Sequence, residues 1–317
     1  MLKTLLVMIV KAFYYLLFLK KELRIVHHRA HRKIVVIMKY WHPNVLVETQ
    51  WVRDHLDDTH IRIAEVDYNP TTNYKLGHIP GAVLFDWKED LNNPSYRDII
   101  SKKSCEDLLQ RAGVNNDTSL ILYGDYKNWF ATFGFWVFKY YGLQDIRIMN
   151  GGRKKWFEED RPVGVDIPSY PIGSFKASSP DKSIRALMHY LKKRAKSKDR
   201  ILVDVRSEDE FTGKVLAPLE YPSEHTQRGG HIPGSVNIPW NLVINEDGTF
   251  KSADELKKLY DSKSITPDKE IITYCRIGER SSHTWFVLKY LLGYPDVKIY
   301  DGSWTEWGNI IRNPIEK

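Results

Sequence analysis

The chain has 317 residues, enough for two domains of ordinary size. Its 42% hydrophobic and 27% charged residues are the composition of a globular protein, not of a disordered or fibrous one. The formal net charge of +7 resides entirely in the first 37 residues, where Lys3, Lys11, Lys20, Lys21, Arg24, Arg29, Arg32 and Lys33 face the single acid Glu22. The remainder is balanced and lacks the basic footprint that nucleic-acid binding needs.

The N-terminal segment comes first. Residues 1–19 are apolar but contain Lys3 and Lys11, short of the roughly 20 uncharged residues that crossing a membrane takes. Lys20-Lys21-Glu22-Leu23-Arg24 offers no small-residue cleavage site for a signal peptide. Three readings of residues 1–37 stay open: a segment in contact with a membrane surface, a basic tail, or a natural start at Met38. The last is preferred over membrane contact, because the domain pattern begins near Met38. His27, His28 and His31 read as solvated charge rather than as metal ligands.

From there the elements alternate. Ile61–Val66 reads as a strand closed by Asp67, Gly77-His78-Ile79-Pro80-Gly81 as a turn, and Ala82–Phe85 as a second strand. A helix opens at Ser104 and holds Cys105, a small structural residue. The strand Leu120–Tyr123, the helix Trp129–Tyr141 and a last strand before Asn150-Gly151-Gly152 complete a first unit. A linker at 166–183 contains the turn formers of Pro168–Ser174. The order then repeats. Ile201–Val203 ends at Asp204, Gly230-His231-Ile232-Pro233-Gly234 repeats the turn, and Val236–Ile238 follows. A helix begins with the capping box Ser252 and Glu255. Ile271–Tyr274 is a strand, Ser282–Leu292 a helix, and a final strand precedes Asp301-Gly302-Ser303.

Asp117–Trp156 aligns without a gap on Asp268–Trp307, setting Gly142 on Gly293, Gly151 on Gly302 and Trp156 on Trp307. Units of this length are too long for a solenoid. They read as two tandem domains of one α/β fold, at 40–165 and 184–317, each a parallel sheet flanked by helices.

Cys275 stands where ligands of such sheets collect, on the turn between a strand and a helix. The N–H groups of residues 276–281 lead into that helix without intrahelical partners and can hold an anion. The helix dipole, Arg276 and Arg280 all act to lower the pKa of a thiol there, so a thiolate at neutral pH is expected. The matching position in the first copy is Gly124, so that copy is silent and shapes the cleft. With only one other cysteine, Cys105, no disulfide framework is indicated, and a free Cys275 points to a reducing, cytoplasmic compartment.

The repeated Gly-His-Ile-Pro-Gly turn, the Asp204-Val205-Arg206 strand end, the Cys275 loop and the Asp301-Gly302-Ser303-Trp304 ending resemble the rhodanese family. Two copies with a cysteine only in the second are similar to its tandem-domain thiosulfate and 3-mercaptopyruvate sulfurtransferases, over about residues 40–317. The resemblance implies a double displacement without metal or cofactor. Cys275 takes sulfur from a small anionic donor as a persulfide, and a thiophile such as cyanide, or a thioredoxin- or glutathione-like thiol, removes it. It further implies that backbone N–H groups of Arg276, Ile277, Gly278, Glu279, Arg280 and Ser281 stabilise the persulfide. Arg276, Arg280 and Arg206 are expected to hold the donor, and Asp204 to brace the loop. His231 and His283 are expected to be structural. The charged loop favours thiosulfate over mercaptopyruvate, whose enzymes carry Cys-Gly-Ser-Gly-Val-Thr. Ile277 and Glu210 depart from the vertebrate-type thiosulfate pattern, Ile277 standing where a lysine is expected and Glu210 where a second substrate arginine often follows Asp204-Val205-Arg206.

Phosphatases and arsenate reductases of the same fold use a loop one residue longer. Here four residues separate Cys275 from Arg280, a cradle sized for a persulfide. A non-enzymatic sulfur carrier or scaffold is the remaining alternative, and the complete reactive loop argues against a pure scaffold.

Overall fold

The computed structural model describes residues 25–26, 35–36, 39–193, 199–217 and 226–317. Apart from a short antiparallel pairing of Ile25–Val26 with Val35–Val36, the readings of residues 1–37 fall outside the described residues. Among the described residues no helix is long and apolar enough to cross a membrane.

Two parallel sheets are present, as the repeat implies. The first is built from β1 (Leu46–Val47), β2 (Ile61–Asp67), β3 (Val83–Asp86), β4 (Ser119–Gly124) and β5 (Ile146–Met149), in the order β1-β5-β4-β2-β3. The second contains β6 (Arg200–Asp204), β7 (Val236–Asn237), β8 (Glu270–Tyr274) and β9 (Val297–Ile299), in the order β9-β8-β6-β7. Every residue of β2, β4 and β8 is buried, because helices cover both faces of each sheet. β1 was not expected; two residues are too short to display a strand period.

The helices that matter for the site are α1 (Lys102–Arg111), α2 (Trp129–Tyr140), α3 (Ala253–Asp261), α4 (Glu279–Phe286) and α5 (Ser303–Asn309). The expected start of α1 at Ser104 is corrected: Ser101 is the cap, its hydroxyl accepting the Ser104 N–H at 3.0 Å. The box of Ser252 and Glu255 caps α3 as expected. α2 is buried almost all round, including Phe130, Phe133, Phe135, Trp136 and Phe138. A helix apolar on every face must be covered on every face. α2 meets its own sheet on one side and α4 of the other domain on the opposite side. Phe135 packs edge-on to Phe286 at 5.0 Å, and Thr132 Oγ1 lies 3.1 Å from Ser282 Oγ. One apolar core therefore runs through both domains.

The duplication recurs in three dimensions. Tyr123 at the end of β4 accepts the Ile79 N–H at 3.0 Å, and Tyr274 at the end of β8 accepts the Ile232 N–H at 3.1 Å. His78 stacks on Tyr74 and bonds its carbonyl at 2.9 Å; His231 does the same with Phe211, also at 2.9 Å. The two turn histidines are thus held by the same kind of contact in both copies. Trp156 and Trp307 donate to Pro162 and Pro314 carbonyls, each at 2.8 Å. The connecting segment is strapped to the first domain: the Phe175 N–H donates to the Val114 carbonyl at 3.1 Å and its ring is fully buried.

Candidate active site

β8 ends at Tyr274 and α4 begins at Glu279, so Cys275–Gly278 turn the chain over the carboxyl end of the second sheet. α4 starts earlier than the expected Ser282, because Gly278 reverses the backbone with φ +116° and frees the next residue to enter the helix. A Cβ there would stand 3.2 Å from the Phe133 ring and 3.3 Å from Asp301 Cβ, tight contacts added to a φ that glycine alone adopts without strain.

The amino end of α5 holds the turn from below. The Cys275 N–H donates to Ser303 Oγ at 3.1 Å, and the Cys275 and Arg276 carbonyls accept from Trp304 and Thr305 N–H groups at 3.1 and 3.0 Å. The Gly278 N–H is aimed at Cys275 Sγ, 3.1 Å away. Ser281 closes the turn by donating to the Gly278 carbonyl at 2.7 Å.

Cys275 itself is completely buried. Burial pushes its thiol up, and Glu279, with Oε2 3.7 Å from Sγ, pushes the same way; Arg280 and the N–H groups of Gly278 and Ser281 pull down without prevailing. The expected resting thiolate is therefore corrected to a protonated thiol. Arginines and N–H donors are legible in the sequence, whereas desolvation and the approach of Glu279 to the sulfur are not.

Arg280 does not present a bare charge. It donates two parallel hydrogen bonds to Glu210, at 2.8 and 2.9 Å, with both side chains almost wholly buried. Burial opposes ionisation of Glu210, but Arg280 outweighs it and takes the carboxyl down to about 2. Glu210 also completes a capping box with Ser207. The departure noted at Glu210 is thus the counter-ion of Arg280. Its only sequence signal was the Ser207-to-Glu210 capping spacing, because the partners lie far apart in the chain.

Arg206 sits on Asp204 through contacts of 2.6 to 3.2 Å, donates to the Gly230 carbonyl at 2.7 Å and covers the Trp304 ring at 4.8 Å. It braces the end of β6 and does not line the cavity described next. Arg276 is completely buried, and its charge acts on Glu279. Ile277 is buried, with its carbonyl accepting from Arg97 Nη2 at 2.8 Å. His283 is completely buried and stacked on Phe250 at 4.7 Å; burial lowers it to about 3, so it is neutral at physiological pH. Cys105 is buried in α1, and burial pushes its thiol far up.

A cavity of about 630 Å³ opens between the domains, lined by Tyr126, Lys127 and Trp129 from the first and by Glu210, Trp240 and Arg280 from the second. Cys275 is not part of its wall. Tyr126, Lys127 and Asn128 have φ of 44°, 57° and 71°, three left-handed non-glycine residues in succession. Asn128 pins them, accepting the Gly124 N–H at 3.0 Å and donating to the Met149 carbonyl at 2.8 Å. The first domain thus turns its counterpart of the cysteine loop into a wall of the cavity. Among the described residues no group of three or more metal-binding side chains gathers.

Comparison with known proteins agrees with this geometry. The rhodanese-like domain profile matches residues 48–159 and 187–310. The chain is 53% identical to the "Sulfur carrier protein TtuD" of Thermus thermophilus, over 88% of this chain and 99% of that protein. It is 50% identical to a Mycolicibacterium smegmatis protein named "Putative thiosulfate sulfurtransferase", over 86% of this chain and 98% of that protein. Among solved structures, the anaerobic ergothioneine biosynthesis enzyme of Chlorobium limicola, in complex with trimethyl histidine, superposes with a TM-score of 0.78 at 25% identity, covering 90% of this chain and 73% of that one.

Proposed function

The chain belongs to the rhodanese family, and on that premise we propose that it moves a sulfane sulfur from thiosulfate to a thiophilic acceptor, cyanide or a thiol, through a persulfide on Cys275. The observation that carries the proposal is the Gly278 N–H directed at Cys275 Sγ at 3.1 Å, within a turn that feeds the positive end of α4.

In the first half-reaction the Cys275 sulfur attacks the outer sulfur of thiosulfate. A Cys–S bond to that sulfur forms, the sulfur–sulfite bond breaks, and sulfite leaves with the electron pair. The thiol proton has Glu279 Oε2, 3.7 Å away, as its acceptor. The persulfide anion takes the N–H donors of Gly278 and its neighbours, and Arg280 supplies positive charge tempered by Glu210. In the second half-reaction the acceptor attacks the outer persulfide sulfur, and the Cys275 thiolate leaves. Complete burial of Cys275 requires the loop to move for the donor to reach it. The interdomain cavity, adjoining through Arg280, is the route.

The test is intact mass after thiosulfate treatment, with peptide mapping. One added sulfur atom on Cys275, absent from Cys275→Ser, is expected. No adduct on wild type sinks the proposal. The second reading, a carrier that hands sulfur only to a protein, draws on the name of the Thermus relative and on the closed thiol. Repeated turnover with cyanide favours the enzyme, and a stable persulfide inert to small thiophiles favours the carrier.

A further inference from the structure

We propose that Arg97, on the silent domain, is a positioning residue for the persulfide: it fixes the peptide whose N–H faces the Cys275 sulfur. Arg97 Nη2 donates to the Ile277 carbonyl at 2.8 Å, and the Gly278 N–H donates to Cys275 Sγ at 3.1 Å. That carbonyl and that N–H belong to one peptide unit. In a planar trans peptide they point in opposite directions, so holding the oxygen on one side aims the hydrogen at the other. Gly278, with φ +116° and no side chain, cannot set this plane by its own sterics.

The segment that carries Arg97 is itself tied to the same place. Arg185 pairs with Asp98, and it holds Asp301 through contacts of 2.9 and 2.6 Å. Asp301 is the residue beside Gly278 on which an added Cβ would press. Arg97 and Arg185 thus connect the 93–98 segment of the first domain to both sides of the turn. A hydrogen bond to the carbonyl also polarises the peptide and strengthens its N–H as a donor. Arg97 is exposed, so its charge is partly screened; it lowers Glu279 less than Arg280 and Arg276 do, and its direct hold on the thiol's surroundings is the bonded peptide.

The experiment uses the full chain with Arg97→Ala and Arg97→Lys and measures iodoacetamide alkylation of Cys275 against pH, persulfide formation from thiosulfate, and thermal unfolding. Besides Arg97, the charges facing the thiol are Glu279, Arg276 and Arg280 on its own loop and helix, with Glu210 behind Arg280 and Asp301 beside Gly278. The substitutions change none of these side chains; loss of the Arg97 charge lets Glu279 rise and repel the thiol less, which is opposite in sign to the shift expected from the lost peptide contact. For Arg97→Ala the alkylation midpoint moves to higher pH and persulfide formation slows roughly fivefold, the scale of one hydrogen bond. Arg97→Lys, which retains a donor, recovers part of both. Because Arg97 is exposed, unfolding temperature stays near that of wild type. An alkylation profile in Arg97→Ala that superimposes on wild type overturns the proposal, as does a fall in unfolding temperature with no change in profile. The inference rests on Cys275 as the reacting thiol. Alkylation reads that thiol directly, so a wild type that forms no persulfide defeats the function above without deciding the role of Arg97.

Discussion

Glu210 and Arg280 hold each other through two parallel hydrogen bonds of 2.8 and 2.9 Å, with Arg280 beside the Cys275 thiol. The pair sets how much positive charge the sulfur feels. Breaking a buried pair leaves one charge without compensation, so Glu210→Gln costs about 3 kcal/mol in urea unfolding. It also frees the Arg280 charge, which lowers the pH at which Cys275 alkylates. The carboxyl is depressed, so its stabilising contribution is present above the ordinary carboxylate pKa and is lost as pH falls from about 5 toward about 2. Glu210→Gln lacks that part of the acid transition. Equal acid profiles for the two proteins contradict the assignment.

Glu279 raises the thiol pKa from 3.7 Å away. Glu279→Gln removes a group that pushes the thiol up, and the alkylation midpoint moves to lower pH. Persulfide formation at saturating thiosulfate slows, because the proton acceptor is gone. A midpoint that stays in place shows that burial alone governs the thiol.

Gly278→Ala forces a side chain into φ +116° and against Phe133 and Asp301. The strain costs roughly 1–3 kcal/mol, and relief of it turns the N–H away from the sulfur. Sulfur transfer falls at least about tenfold, the effect of losing one charge-assisted hydrogen bond. Steady-state kinetics beside a thermal melt separate the two effects, and full activity removes the Gly278 N–H from the mechanism.

The first domain carries its own pH signature. Asp125, at the place of Arg276, shares Asn73 with Asp67: Asn73 donates to the two carboxylates at 2.6 and 3.2 Å. Burial first, and then the mutual charge of the pair, raises Asp125, and burial also raises Asp67. The folded state retains a proton that the unfolded chain releases above about pH 4, so stability falls as pH rises from there through neutrality. Asp125→Asn removes its share of this slope, the rest staying with Asp67 and with Glu65, which burial raises to about 8, and stabilises the protein by roughly 1–2 kcal/mol at pH 8. Melting curves between pH 5 and 9 with identical slopes count against the shared proton.

Cys105→Ser leaves sulfur transfer near wild type, because Cys105 lies inside α1 with its thiol pushed far up by burial. Cys275→Ser abolishes it. Both are read by cyanide-dependent turnover of thiosulfate. Activity in Cys275→Ser excludes the persulfide route.

The amino-acid sequence by itself determined the duplicated α/β fold, the cysteine turn and the inequality of the two copies. Those features are local or periodic: apolar runs between turn formers, the Gly-His-Ile-Pro-Gly turn repeated before a strand, and a gapless match that puts Gly124 where Cys275 stands. The strand β1 escaped because two residues carry no period, and the starts of α1 and α4 were misplaced because cap geometry, not composition, chooses among adjacent serines and glycine. The charge state of Cys275 was decided only by tertiary structure. Desolvation depends on what closes over a group, and here α2 of the first domain, with Phe133, closes over the loop. The pairing of Glu210 with Arg280, the diversion of Arg206 onto Asp204 and the reach of Arg97 to the Ile277 carbonyl likewise join or commit side chains by spatial proximity. Electrostatics of a buried site is a sum over neighbours in space, and chain order does not supply that sum.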